Sequence, residues 1–84
     1  MKKKYETLSE LRWQCRRGML ELDVFLQKFV QHGYSKLNEQ ERQDFYELLE
    51  YPDQELLELL LAQVSSTEQH INDIAGKIRQ CAAL

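Results

Sequence analysis

Apolar residues recur along this chain at intervals of three and four, in short runs separated by polar breaks, and strand-like alternation is almost absent. Thr7-x-x-Glu10 has the form of a capping box and predicts a first helix to about Arg16, with Leu8, Leu11 and Cys15 at helical spacing and Trp13 on another side. A second helix is predicted over residues 19–32, followed by Gly33 in the position of a left-handed C-cap. Asn38-x-x-Glu41 is another capping box and opens a third helix to about Glu50, whose buried stripe is Phe45, Leu48 and Leu49. Pro52 breaks the chain, and PDQELLELLLAQ reads as a short fourth helix with the proline near its start. Ser66-x-x-Gln69 is read as the cap of a fifth, with Ile71, Ile74, Ala75 and Ile78 on its buried face. The connections are only a few residues long, so consecutive helices are expected to pack as neighbours. The expected fold is all-α: a compact bundle of about five short helices in one domain over residues 1–84. Each is too short to be stable alone and depends on its neighbours.

The second helix has two apolar sides. On a helical wheel Met19, Leu22, Phe25, Leu26, Phe29 and Val30 form a broad face that reads as core. Arg17, Glu21 and Lys28 cluster nearly opposite, flanked by Leu20 and Val24. Gly18 stands at the entrance to this helix and admits two readings. One is a junction between helices beside an ordinary Arg17–Glu21 surface pair worth a few tenths of a kcal/mol. The other is a contact site: glycine lets a partner's backbone come close, arginine and glutamate supply directional charge, and Leu20 and Val24 supply area. The residue types alone leave both open.

Composition narrows the function classes. At 84 residues and 43% apolar content the chain has enough for a modest core, and its longest apolar run is Leu59-Leu60-Leu61-Ala62. That is far short of the ~20 residues of a membrane-spanning helix. The net charge of −3 is unevenly spread. Lys2, Lys3, Lys4, Arg12, Arg16 and Arg17 make the start basic, whereas the middle, from Glu39 to Glu58, carries eight carboxylates against Arg42. An acidic middle repels phosphate and argues against nucleic acid as a partner. MKKKYETL has neither the apolar stretch of a secretory signal nor the character of a mitochondrial leader, so a cytoplasmic location is expected. Cys15 and Cys81 are then expected as reduced thiols. With His32 and His70 they lack the paired spacing of a zinc site, and neither a nucleophilic triad nor a glycine-rich phosphate loop is present, so no metal and no enzyme activity are expected. The terminal CAAL matches a prenylation box, but Cys81 also extends the Ile71-Ile74-Ile78 stripe, which reads as core.

RRGMLELD, residues 16–23, resembles the RGxxE signature of the FAD assembly factor SdhE family, also known as succinate dehydrogenase assembly factor 2 and formerly, for bacterial members, as antitoxin CptB. Trp13-x-Cys15-Arg16-Arg17-Gly18-Met19 is similar to the family's first block, and LNEQERQDFYELLEYPDQEL, residues 37–56, to its second. One departure stands out: where members commonly carry an aromatic pair in the fourth helix, this chain has Leu57 and Leu59. The resemblance implies an assembly factor that binds the flavoprotein subunit of succinate dehydrogenase, and in some members fumarate reductase, and promotes covalent attachment of FAD to it. It implies partner contacts at Arg17, Gly18 and Glu21, with Arg16 and Asp23 flanking. FAD would then be the partner's cofactor, none being stably bound here, and the free protein is expected as a monomer. The alternative is a small helical interaction or antitoxin-like regulatory module with another target.

Overall fold

The computed structural model describes residues 7–82; the Lys2–Lys4 cluster and the last two residues of the CAAL box lie outside them. Five α-helices follow one another: α1 (Leu8–Gln14), α2 (Leu20–His32), α3 (Glu39–Leu48), α4 (Asp53–Leu60) and α5 (Gln69–Ala82), with a 3₁₀ turn (Tyr34–Lys36) between α2 and α3. Among the described residues there is no strand, and no helix is long and apolar enough to cross a membrane.

Local chemistry sets most of the boundaries. The Thr7 hydroxyl accepts the Glu10 N–H at 3.1 Å and starts α1. At α3 both halves of the box form: the Asn38 side chain accepts from the Glu41 N–H at 2.8 Å, and Glu41 accepts from the Asn38 N–H at 3.0 Å. Pro52 is the N-cap of α4, where its missing N–H costs nothing. Ser66 departs from expectation. Its hydroxyl accepts from the Glu68 N–H rather than from Gln69, and α5 begins at Gln69 itself. Asn72 closes this turn instead, accepting the Ser66 N–H at 2.8 Å and donating to the Ser66 carbonyl at 2.9 Å. A carboxamide both accepts and donates, so this one side chain serves both backbone groups of Ser66.

Gly33 corrects the expected left-handed cap. It follows α2 in the right-handed region, at φ −118° and ψ −27°, and the chain continues directly into the 3₁₀ turn. Glycine is needed there for closeness rather than for handedness. A Cβ on Gly33 would lie 2.7 Å from Cys81 Sγ and 2.8 Å from the Phe29 ring.

The core forms where α5 packs against α2, α3 and α4. Leu22, Leu26 and Phe29 of α2 meet Ile71, Ile74 and Ile78 of α5, all buried, and the Phe29 and Phe45 rings sit tilted with centroids 5.0 Å apart. Tyr34 and Tyr46 share a hydrogen bond between their hydroxyls, and the Arg42 guanidinium lies over the Tyr34 ring at 5.5 Å. Burial, reinforced by Tyr46, pushes the Tyr34 phenol above its ordinary range. Leu59 is buried and Leu57 packs against the core from its edge, so the two leucines of α4 serve the packing. Arg79 donates to the carbonyls of Leu60 and Leu59 at 3.1 and 3.3 Å and so closes the C-terminal end of α4.

Candidate functional site: the corner between α1 and α2

Residues 15–19 carry the chain from α1 to α2. Cys15 is the C-cap of α1 and is wholly buried, and desolvation pushes its thiol up to about 12. Next to it the chain turns out into solvent. Arg16 is exposed, and Gly18 sits in the left-handed region at φ +82°. Among the described residues, no heavy atom outside the two chain neighbours comes within 4 Å of the place a Cβ on Gly18 would take. Within the fold, glycine is therefore favoured at this point by backbone conformation and not by crowding, and the space beside it opens outward.

Arg17 does the opposite of its neighbours. Its side chain is only 17% exposed and turns inward across the bundle. Nε donates to the Gln14 carbonyl at 2.8 Å, Nη2 to the Leu49 carbonyl at 2.5 Å, and Nη1 to Asp53 Oδ1 at 3.2 Å. Gln14 ends α1, Leu49 is the C-cap of α3, and Asp53 opens α4. The two carbonyls belong to helix C-termini, which lack intrahelical partners and carry partial negative charge. A planar fork of donors can serve all three acceptors; an ammonium cannot. The i,i+4 pairing with Glu21 that one reading of the sequence allowed gives way to these three acceptors, of which the Leu49 carbonyl belongs to a buried residue.

Asp23 holds the same corner from the other side. Its carboxylate accepts the Arg17 N–H at 2.6 Å, across six residues, and so fixes the backbone on which Gly18 turns. Met19, the N-cap of α2, offers no side-chain cap, and Glu21 and Asp23 place negative charge in the first turn, where the helix dipole favours it.

What remains outside is a mixed surface. Leu20 is 80% exposed, Val24 44% and Trp13 71%, and Glu21 is exposed between the first two. Of the five large apolar side chains exposed among the described residues, these three flank this corner; Leu61 and Val64 follow α4. Thus Arg16, Gly18, Leu20, Glu21 and Val24 are presented together on the outer side of the α1–α2 corner, while Arg17 and Asp23 face the protein and set its shape. Trp13 is an addition: the wheel puts it off the core, but only the structure shows how far it stands in solvent. Asp53 and the Leu49 carbonyl are also additions. The Pro52-Asp53 turn was a signal for the first; a backbone carbonyl leaves none in the side-chain pattern.

Elsewhere, Cys15, His32, His70 and Cys81 do not converge, and both cysteines are free thiols. His70 Nε2 instead lies 3.1 Å from Glu47, whose hydrogen bond raises the imidazole above its ordinary range. Glu68 lies nearby, in an exposed group of two carboxylates and a histidine.

Comparison with known proteins adds the family context. A family model described as flavinator of succinate dehydrogenase matches residues 9–82. The chain is 38% identical over 74 residues to the FAD assembly factor SdhE of Coxiella burnetii, covering 88% of this chain and 90% of that protein. It is 40% identical over 73 residues to the protein of that name in Legionella pneumophila, covering 87% and 91%. Over a shorter stretch of 51 residues it is 51% identical to the Vibrio vulnificus protein, 61% of this chain and 59% of that one.

Proposed function

Because this chain belongs to the succinate dehydrogenase flavinator family, which includes the FAD assembly factors, we propose that it binds the flavoprotein subunit of succinate dehydrogenase and promotes covalent attachment of FAD to that subunit. The observation that carries the reading to particular residues is the α1–α2 corner. Gly18 is open on its outer side, and Leu20, Glu21 and Val24 stand beside it in solvent. Arg17 and Asp23 hold that surface in one shape before any partner arrives, so less ordering is needed on binding.

In this reading the protein is a binding factor and not an enzyme. The outer face docks near the flavin site of the immature subunit, with Gly18 allowing close backbone approach, Leu20 and Val24 supplying apolar area and Glu21 and Arg16 supplying charge. The bound subunit is held in a geometry that favours its own flavin chemistry, so binding energy acts by orienting the reacting groups. FAD is then the partner's cofactor. The site of action is the cytoplasm, where the apoprotein is made.

The test is a gene deletion complemented with variants, scored by in-gel flavin fluorescence of the subunit, with each variant's fold checked by circular dichroism. Glu21→Ala and Leu20→Asp alter exposed side chains and are expected to fold normally and lose most of the fluorescence. Gly18 needs two variants. Valine is strained at φ +82°, whereas asparagine tolerates that region. If Gly18→Asn folds and fails like Gly18→Val, the partner needs the open space; if it restores flavinylation, the glycine serves backbone shape alone. Full flavinylation with Glu21→Ala and Leu20→Asp would overturn the docking face. Full flavinylation in the deletion itself would overturn the function.

A further inference from the structure

At the opposite end of α2 from Gly18 lies a groove of about 700 Å³, between the C-terminal turns of α2 and α5 and the 3₁₀ turn. That volume is typical of a ligand site. Its lining separates by burial into two parts. Phe29, Gly33 and Leu37 are buried and Cys81 half-buried, which makes an apolar floor. Lys28, Lys36 and Lys77 stand around it with His32. These are the only lysines among the described residues, and they come from three separate elements. No aspartate or glutamate lines the groove, although the chain as a whole is acidic, at −3. Lys77 is held 3.3 Å from Glu41 at the edge, and Lys28 and Lys36 make no ion pair among the described residues.

The structure assigns this groove as a second docking site, for an acidic peptide segment of another protein that carries a bulky apolar anchor. Charge complementarity selects the acidic segment: like-charged partners are repelled, and carboxylates meet unneutralised ammonium groups. The apolar floor selects the anchor, since it takes the anchor's own apolar surface out of water against Phe29, Leu37 and the half-buried Cys81. Lysines on flexible stems read charge without a fixed direction, which suits spaced carboxylates on a chain better than a single planar group. Duplex nucleic acid fits less well, because it has no bulky apolar side chain to set on the floor. Glu41, held against Lys77 at one edge, repels phosphate and carboxylate alike, so the acidic segment is placed over Lys28 and Lys36. α2 has thirteen residues, so its two ends are about 20 Å apart. The groove is thus distinct from the α1–α2 corner, and the assignment stands whether or not that corner serves flavinylation.

The experiment is a titration of the ¹⁵N-labelled full chain followed by amide shifts. The probe is a blocked decapeptide of glutamates around a central Leu-Phe pair. Three comparison probes are used: lysines for the glutamates, glycines for the Leu-Phe pair, and a short DNA duplex. Saturable shifts confined to residues 28–37 and 77–82 are expected with the first probe. Affinity should fall at least tenfold in the Lys28→Glu, Lys36→Glu double variant, whose other amides report an unchanged fold, and by a similar factor when Leu-Phe is replaced. Equal binding of the glycine probe would reduce the effect to counterion attraction and overturn the assignment. So would shifts centred on Arg12 and Arg16, preference for the duplex, or no saturable shift at all.

Discussion

Replacing Arg17 with alanine should unfold the corner before it touches any partner. The Nη2 bond to the Leu49 carbonyl, at 2.5 Å on a side chain 17% exposed, is the largest contribution. Hydrogen bonds involving a charged group are worth about 1.5–3 kcal/mol. The ion pair with Asp53 adds less, because that carboxylate is 39% exposed: about 0.2–1 kcal/mol. The exposed bond to Gln14 adds about 0.5 kcal/mol. Arg17→Ala should therefore cost about 2–4 kcal/mol, which is a large share of the ~5–15 kcal/mol typical of a domain. The melting temperature should fall by on the order of 10–25 °C. Arg17→Lys keeps the charge but reaches one acceptor at a time, so about half of that loss is expected. Urea unfolding followed by circular dichroism at 222 nm measures both, with Glu21→Ala, which removes one exposed first-turn charge, as the control that costs no more than about 1 kcal/mol. If Arg17→Ala unfolds at the wild-type midpoint while abolishing flavinylation, the inward reading is wrong and Arg17 acts by direct contact.

Three further outcomes are expected. Gly33→Ala forces a methyl against Cys81 and the buried Phe29 ring and should destabilise by about 1–3 kcal/mol in the same urea assay; a neutral result would show that the end of α5 yields freely. With its thiol pushed up to about 12 by burial, Cys15 should resist an aromatic disulfide reagent at pH 8, so the native chain titrates one fast thiol, Cys81, and a second only in urea; two fast thiols would contradict the packing of α1. Glu47 raises the His70 pKa, so the pair's contribution is fully present below the ordinary 6.5 and is lost as pH rises through the higher folded value. An NMR titration should place the His70 midpoint above 6.5, and Glu47→Gln should lower it; identical midpoints would remove Glu47 as the cause.

Local rules carried the reading of the helices well. Thr7 and Asn38 are capping signals whose partners lie three residues away, and Pro52 acts on its own neighbours, so each can be read from a short window. Gly33 shows where such a window ends. A glycine after a helix has two common reasons, handedness and closeness, and the atom that decides between them is Cys81 Sγ, on the last helix. Ser66 is a second case: its hydroxyl reaches the Glu68 N–H, and its backbone is held by Asn72, six residues on and beyond a three-residue window. The outward residues of the corner, Leu20, Glu21 and Val24, follow from the helical wheel, because a side chain left off the core stripe has only solvent to face. The inward turn of Arg17 does not, because its acceptors come from α1, the end of α3 and the start of α4. The lysine groove has the same character: Lys28, Lys36 and Lys77 become neighbours only when α2 and α5 finish side by side.

The Arg17 knot also sets a limit on transplantation. A nine-residue peptide copied from residues 16–24, or the same residues grafted onto another helix, would carry Gly18, Leu20, Glu21 and Val24 but leave behind the Leu49 carbonyl and Asp53 that aim the turn. The short motif is the visible part of a device spread over three helix ends. A minimal mimic has to bring the α3–α4 turn with it, and a search for functional equivalents by the five-letter pattern alone will collect helices that have the letters without the shape.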